Sequence, residues 1–452
     1  MSSPLVVFTT LHFGASCLQI FNLIYDGGHS RVLCARRMGF FARNSRPNQG
    51  RCTRVIHESR FLRLLMLMLA LGAGFRSQAT GQTFNTVYSF TGASDGGNPL
   101  DGLVFSSGYL YGTGSSGGSS GSGVVYKVSS TSGQQTVVYS FAGGADGANP
   151  QSGLLLRGGV LYGTTFAGGP AGAGTVFDVT PEGKETVLYT FTGGTDGGSP
   201  EASLISDTAG NLYGTTFSGG ASGKGTVFEL VHPSVKGGVW TEKVLHSFGA
   251  GIDGANPVAG VTFDKAGNLY GTTSLGGIYN YGTVFELSPS ASGWKENLLY
   301  QFQLMNDGGI PYAGVTFMNA NTLVGTAADG GQGGSIGGGT VFELTRSSSG
   351  WTFHLIYSLA GWGISGTYRT VLLHDGKLYA TTHCDGANDA GSVYELALSG
   401  DILTYTLLYQ FTGGTDGLYS FSNLVFDKSG YLWGTTNAGG ANGYGVVFKV
   451  KP

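Results

Sequence analysis

Apolar and polar residues alternate along most of this chain in short runs that recur. Residues 202–248 show the pattern most plainly. Ala202-Ser203-Leu204-Ile205-Ser206 is followed by the turn Asp207-Thr208-Ala209-Gly210, then by Asn211-Leu212-Tyr213-Gly214-Thr215-Thr216. A Gly-rich loop, 217–224, leads into Gly225-Thr226-Val227-Phe228-Glu229-Leu230, and the unit closes on 240–248, Trp-Thr-Glu-Lys-Val-Leu-His-Ser-Phe. β-branched and aromatic residues at strand length, bounded by Gly and Asp turns, predict an antiparallel meander of four strands.

The unit is repeated. Its aromatic closing triplet reads YSF at 88–90 and 139–141, YTF at 189–191, HSF at 246–248, YQF at 300–302, YSL at 357–359 and YQF at 409–411. The second strand recurs from Tyr111-Gly112-Thr113 to Trp433-Gly434-Thr435, and the third from Val124 to Val450. Four-stranded antiparallel units at a period near 50 residues are the blades of a β-propeller. The predicted fold is therefore all-β, a seven-bladed propeller. An open β-solenoid is the rival, but it wants polar caps at both ends. The phase of the repeat favours a ring: the array opens on an outer strand, Phe84 to Phe90, and ends on a third strand, Val446 to Val450. The N-terminal strand can complete the last blade and leave no open edge.

The pairing of N-L-Y-G-T-T with a Gly-Gly loop and G-T-V-F-E-L resembles the GloVer tandem repeat, over about 82–452. The resemblance implies a bacterial exported or surface protein. It implies no activity and no catalytic residues.

Ahead of the repeats the composition changes. Residues 1–81 carry ten Arg, no Lys, one Asp and one Glu, whereas the whole chain has 24 Lys+Arg against 27 Asp+Glu. The repeats are thus acidic, which argues against a nucleic-acid or membrane-surface partner. Arg60 and Arg63 precede an apolar run within about 61–72, and Ala79-Thr80-Gly81 follows as a small-x-small cleavage pattern. This is the layout of a signal peptide, with an apolar run too short to span a bilayer. The expected organisation is a leader over 1–81, of which 1–37 lie upstream of the true start, and a propeller over 82–452. The product is expected to be secreted, periplasmic or at the cell surface, monomeric, and without a transmembrane segment after cleavage. Cys17, Cys34 and Cys52 fall in the leader and only Cys384 in the repeats, so repeat packing, and not disulfides, must supply stability.

Candidate chemistry is sparse. The runs expected to line the channel, such as Leu103-Val104-Phe105 and Leu204-Ile205-Ser206, contain neither His nor acid. Propeller catalysis needs convergent ionisable groups there. No phosphate loop, H-E-x-x-H or nucleophile motif is present. Asp95, Asp146, Asp196, Asp253, Asp307 and Asp416 recur in the loops leading into six blades, within F-T-G-G-x-D-G-x-x-P and its variants. Such carboxylates can bind Ca²⁺ or a sugar, although Asp-Gly is also plain turn chemistry. The sixth copy departs from the others at His383-Cys384-Asp385, a weak metal or thiol candidate. Trp240, Trp294 and Trp351 open three outer strands, and Glu229, Glu286, Glu343 and Glu395 recur in the third; both sets read as packing. The expected function is a non-catalytic binding or scaffolding module for a surface glycan or another exported protein, needing no cofactor. A lyase- or lactonase-type propeller enzyme is the alternative.

Overall fold

The computed structural model describes residues 83–452, apart from 250, 332–337, 360–364 and 400–401, together with three short strands nearer the N-terminus. Those strands, Val6–Val7, Leu23–Asp26 and His29–Val32, pair antiparallel within a separate unit, Met1–Arg76. The expected signal sequence and cleavage point lie outside the described residues, as do Cys17, Cys34 and Cys52.

Ser77–Pro452 forms the second unit. It holds seven four-stranded antiparallel sheets, six of them hydrogen-bonded in chain order. Blade 3 is representative: Ile205–Ser206, Leu212–Thr216, Thr226–Val231 and Thr241–Ser247 run from first to fourth strand. Blade 7 is completed as the repeat phase predicts. Val425–Phe426, Leu432–Thr436 and Val446–Val450 are joined on their outer side by Phe84–Ser89. The register pairs Val446 with Ser89 and Val450 with Phe84. The chain is a seven-bladed β-propeller, and the solenoid is set aside.

The first strands surround the axis. Asp101, just ahead of the first strand of blade 1, bonds to residues leading into blades 2, 3 and 7, which only a central position permits.

Each letter of the repeated motif has a physical task. The closing triplet's last residue pins the next blade: Phe90, Phe141, Phe191, Phe248, Phe302 and Phe411 are essentially fully buried. Each meets the third-strand aromatic of the following blade edge-on, as in Phe141–Phe177 at 5.1 Å and Phe191–Phe228 at 5.2 Å between ring centres. Such pairs add to the stabilisation from burying the rings. The outer strand carries a β-bulge opposite the third strand in every blade, for example where Val176 pairs with Tyr189 but Phe177 with Val187. The extra residue explains why three apolar residues stand in succession (Val187-Leu188-Tyr189) where a plain strand would alternate.

In Y-G-T-T, the first Thr joins each blade to the next. Thr215 donates to the Ala259 carbonyl (2.9 Å), Thr272 to Ala313 (2.8 Å) and Thr435 to Asp101 (3.0 Å). The second Thr holds the sheet end, as in Thr216 with Thr226 at 2.9 Å. The Gly clears space for the third-strand ring: a Cβ on Gly214 would lie 2.7 Å from the tip of Phe228. Gly214→Ala is therefore expected to destabilise the protein by about 1–3 kcal/mol through overpacking, read as a lowered midpoint in denaturant; an unchanged midpoint would reject the assignment. Blade 6 carries Ala380 at this position opposite Tyr394, whose hydroxyl bonds to Thr367 (2.9 Å).

Candidate functional site

The six recurrent aspartates all sit on one face, beside the Gly-Gly loops. Backbone bridges join the two loop sets, Ala148 with Ala167 and Gly198 with Ser218 among them. Their carboxylates are engaged locally. Tyr139 and the Ala142 amide donate to Asp146 (3.0 and 2.7 Å). Tyr300 and the Gln303 amide donate to Asp307 (2.8 and 3.0 Å). Tyr88, Tyr189 and Tyr409 serve Asp95, Asp196 and Asp416 in the same way. Thr91, Thr192 and Thr412 add both an amide and a hydroxyl donor to these three. Burial first, and then the neighbouring carboxylate, raises Tyr88, Tyr300 and Tyr409, so these phenols stay protonated donors. The Tyr of the triplet and the Asp seven residues on thus form one loop lock.

In blade 3 the triplet reads His-Ser-Phe, and His246 Nε2 lies 3.0 Å from Asp253. The locks also meet the following blade. Glu185 and Glu242, on the next outer strand, are raised to about 7, by burial first and then by Asp146 and Asp196 respectively. Further round, that register position is aromatic: Phe353 stacks on Tyr300 (4.2 Å), Tyr405 on Tyr357 (5.1 Å) and Phe84 on Tyr409 (3.6 Å).

In blade 6, Asp385 is buried and takes hydrogen bonds from Thr382 (2.5 Å) and Ser392 (3.1 Å). His383 lies among Tyr368, Tyr419 and Phe421, 4.4–4.7 Å between ring centres, and burial lowers it to about 4. Burial raises the Cys384 thiol, and Asp389 and Asp385 raise it further, which disfavours the thiolate. His383 is an aromatic packing partner and Asp385 a loop anchor. The third-strand glutamates bind their own sheet: Tyr270 donates to Glu286 (2.8 Å) and Lys377 pairs with Glu395 (2.9 Å). Trp294 packs against the blade 4 core, and Trp351 meets Tyr270 edge-on at 6.0 Å.

The site that sequence reasoning passed over lies on the axis. A cavity of about 220 Å³ is lined by Asp101, Ser203, Tyr312, Arg369, Thr370 and Asn423, with apolar walls from Val258 and Val261. These polar residues come from two to four positions ahead of the first strands, just outside the runs expected to line the channel. Asp101 is 4% exposed. Its carboxylate accepts from the amides of Gly102 (2.6 Å) and Gly153 (2.8 Å), the Ser203 hydroxyl (3.1 Å) and the Asn423 side chain (2.7 Å). Arg369 Nε stands 3.7 Å from it and donates, with Nη2, to the Leu100 carbonyl (3.1 and 2.7 Å). Burial raises Glu201, partly offset by Arg369, and burial and Glu201 together raise Tyr312. Tyr312 stacks on Tyr368 (4.8 Å) beside this group. The signal was available: Asp101 and Arg369 break the repeat at a position otherwise held by Ser or Ala, and Glu201 is the one charged residue at the position before it. Asp101 has its hydrogen-bonding capacity filled, whereas Asn423 Oδ1 meets no donor among the described residues and, with Tyr312, is still suited to an incoming molecule.

Among curated proteins, none is similar in sequence. Solved structures with a similar chain path include a candidate 6-phosphogluconolactonase from Bacteroides uniformis, 17% identical, covering 72% of this chain and 88% of that one, TM-score 0.47. A second such protein, from Bacteroides fragilis, is 18% identical over 72% of this chain and 86% of that one, TM-score 0.43. A chain of a nidogen/laminin complex is 18% identical over 61% and 87%, TM-score 0.38. At these scores nothing about the chemistry of this chain follows from them. The model of the Gloeobacter/Verrucomicrobia repeat matches residues 70–228, 144–336 and 331–452. With its motifs accounted for blade by blade, the chain belongs to the Gloeobacter/Verrucomicrobia repeat family.

Proposed function

We propose that this propeller is an exported binding module that takes a small hydroxylated ligand, such as the end of a glycan, into the axial cavity. The observation that carries the reading is the cavity's lining: convergent donors and acceptors beside an aromatic face, in a pocket smaller than the roughly 300–1,000 Å³ of drug-sized sites. Arg369 supplies donors, Asn423 Oδ1 an acceptor, and Tyr312 a face against which a sugar ring can stack. The rim aspartates serve this reading by holding the loops on a rigid scaffold, where recognition usually resides. Export rests on the leader's signal-peptide layout; a mature N-terminus ahead of residue 60 would overturn it.

A glycan array followed by titration of the best hit tests the binding. Tyr312→Ala is expected to abolish it while the protein stays folded; retention of full affinity would reject the axial site. One observation favours a second reading. The raised carboxyl of Glu201 beside Tyr312 and Arg369 is the kind of group that serves as a general acid in a lyase or lactonase. Turnover of a bound ligand, lost in Glu201→Gln with binding preserved, would decide for that reading.

A further inference from the structure

At the rim between blades 3 and 4, three metal-ligating side chains from two blades converge. His246 and Asp253 belong to the end of blade 3 and the loop after it, and Glu296 to the outer strand Gly293–Gln301 of blade 4. One ligand atom from each lies within 4.8 Å of the other two. The imidazole Nε2 is 3.0 Å from Asp253 Oδ1, and the Gly249 amide donates to the other Asp253 oxygen. Glu296 Oε1 is buried and, among the described residues, no N–H or O–H donor reaches it. Two carboxylates held this close must share either a proton or a bound cation.

The neighbouring seams provide an internal comparison. Glu185 beside Asp146 and Glu242 beside Asp196 also have a buried oxygen without a donor among the described residues. There the third corner is the hydroxyl of Tyr139 or Tyr189, a poor ligand at neutral pH. Only in blade 3 does the triplet place a nitrogen at that corner. One nitrogen and two carboxylate oxygens suit a borderline divalent ion. Ligands about 2.0–2.2 Å from Zn²⁺ in tetrahedral array stand roughly 3.3 Å apart, so a modest side-chain adjustment brings this triad to coordination distance. His246 and Asp253 remain partly exposed, which leaves a path for the ion and a position for water.

We propose that His246, Asp253 and Glu296 form a binding site for a divalent transition-metal ion, Zn²⁺ being the best match, which clamps blade 3 to blade 4. Titration of the whole metal-stripped protein with Co²⁺ tests it by the visible ligand-field absorption of the bound ion, and with Zn²⁺ by calorimetry. One ion per chain and a raised thermal midpoint are expected. His246→Tyr, which recreates the neighbouring seams, should lose the Co²⁺ bands and the midpoint rise. Glu296→Gln, which copies Gln135 at the same register position in blade 1, should weaken both and serves as the second test if the first variant fails to fold. Cys384→Ser should leave both intact. No saturable binding, or binding unchanged in either triad variant, would overturn the site.

Discussion

Replacing Asp101 with Ala is expected to cost about 3–5 kcal/mol of folding free energy, the magnitude found when one partner of a buried ion pair is removed. The carboxylate gathers donors leading into blades 2, 3 and 7 and neutralises Arg369 from blade 6. Its loss strands a guanidinium whose side chain is only 12% exposed, together with the Gly153 amide and the Asn423 side chain. Asp101→Asn keeps the shape but loses the charge and should fall between wild type and Ala. Equilibrium denaturation checks this; a loss below about 1 kcal/mol, the size of one ordinary hydrogen bond, would show that the axis is held elsewhere.

The second large effect is expected at the ring closure. Removing residues through Phe90 would delete the outer strand of blade 7 and the ring that packs on Tyr126 of blade 1 at 4.9 Å. Phe90 is fully buried, and a buried Phe→Ala change alone costs about 3–5 kcal/mol. Phe90→Ala should therefore lower the unfolding midpoint markedly. The truncated protein should lose its single cooperative transition and associate through the bared edge of Val446–Val450. Size-exclusion chromatography and calorimetry on both variants decide; a monomer that melts like the full chain would show that the ring closes without this strand.

What could be read in advance follows from the repeat. Seven copies of Y-G-T-T and of the closing triplet make the blades visible, because each copy solves the same packing problem. The Gly that clears Phe228 and the Thr that reaches Ala259 are invisible singly and conspicuous in series. The aspartates were also conspicuous, but recurrence cannot tell a loop lock from a ligand site; the bond from Tyr139 to Asp146 can. The axial group escaped for the opposite reason. Asp101, Glu201 and Arg369 occur once each, and only ring closure brings residues so far apart in sequence together. His246 was visible as the deviant letter in the triplet, but its partner Glu296 stands 50 residues on, in the next blade.

The changing chemistry of the outer seams has a consequence for how the ring assembles. Blades this alike in sequence could dock on the wrong neighbour, or on the equivalent blade of a second chain. The register position that faces the preceding lock carries Gln135, Glu185, Glu242 and Glu296 in the first four blades and Phe353, Tyr405 and Phe84 in the last three. A blade shifted across that divide would bring a carboxylate against a surface shaped for ring stacking, or a ring against carboxylates. The rim therefore works as a set of addresses, distinguishing the two halves of the ring while the seven cores remain interchangeable in outline.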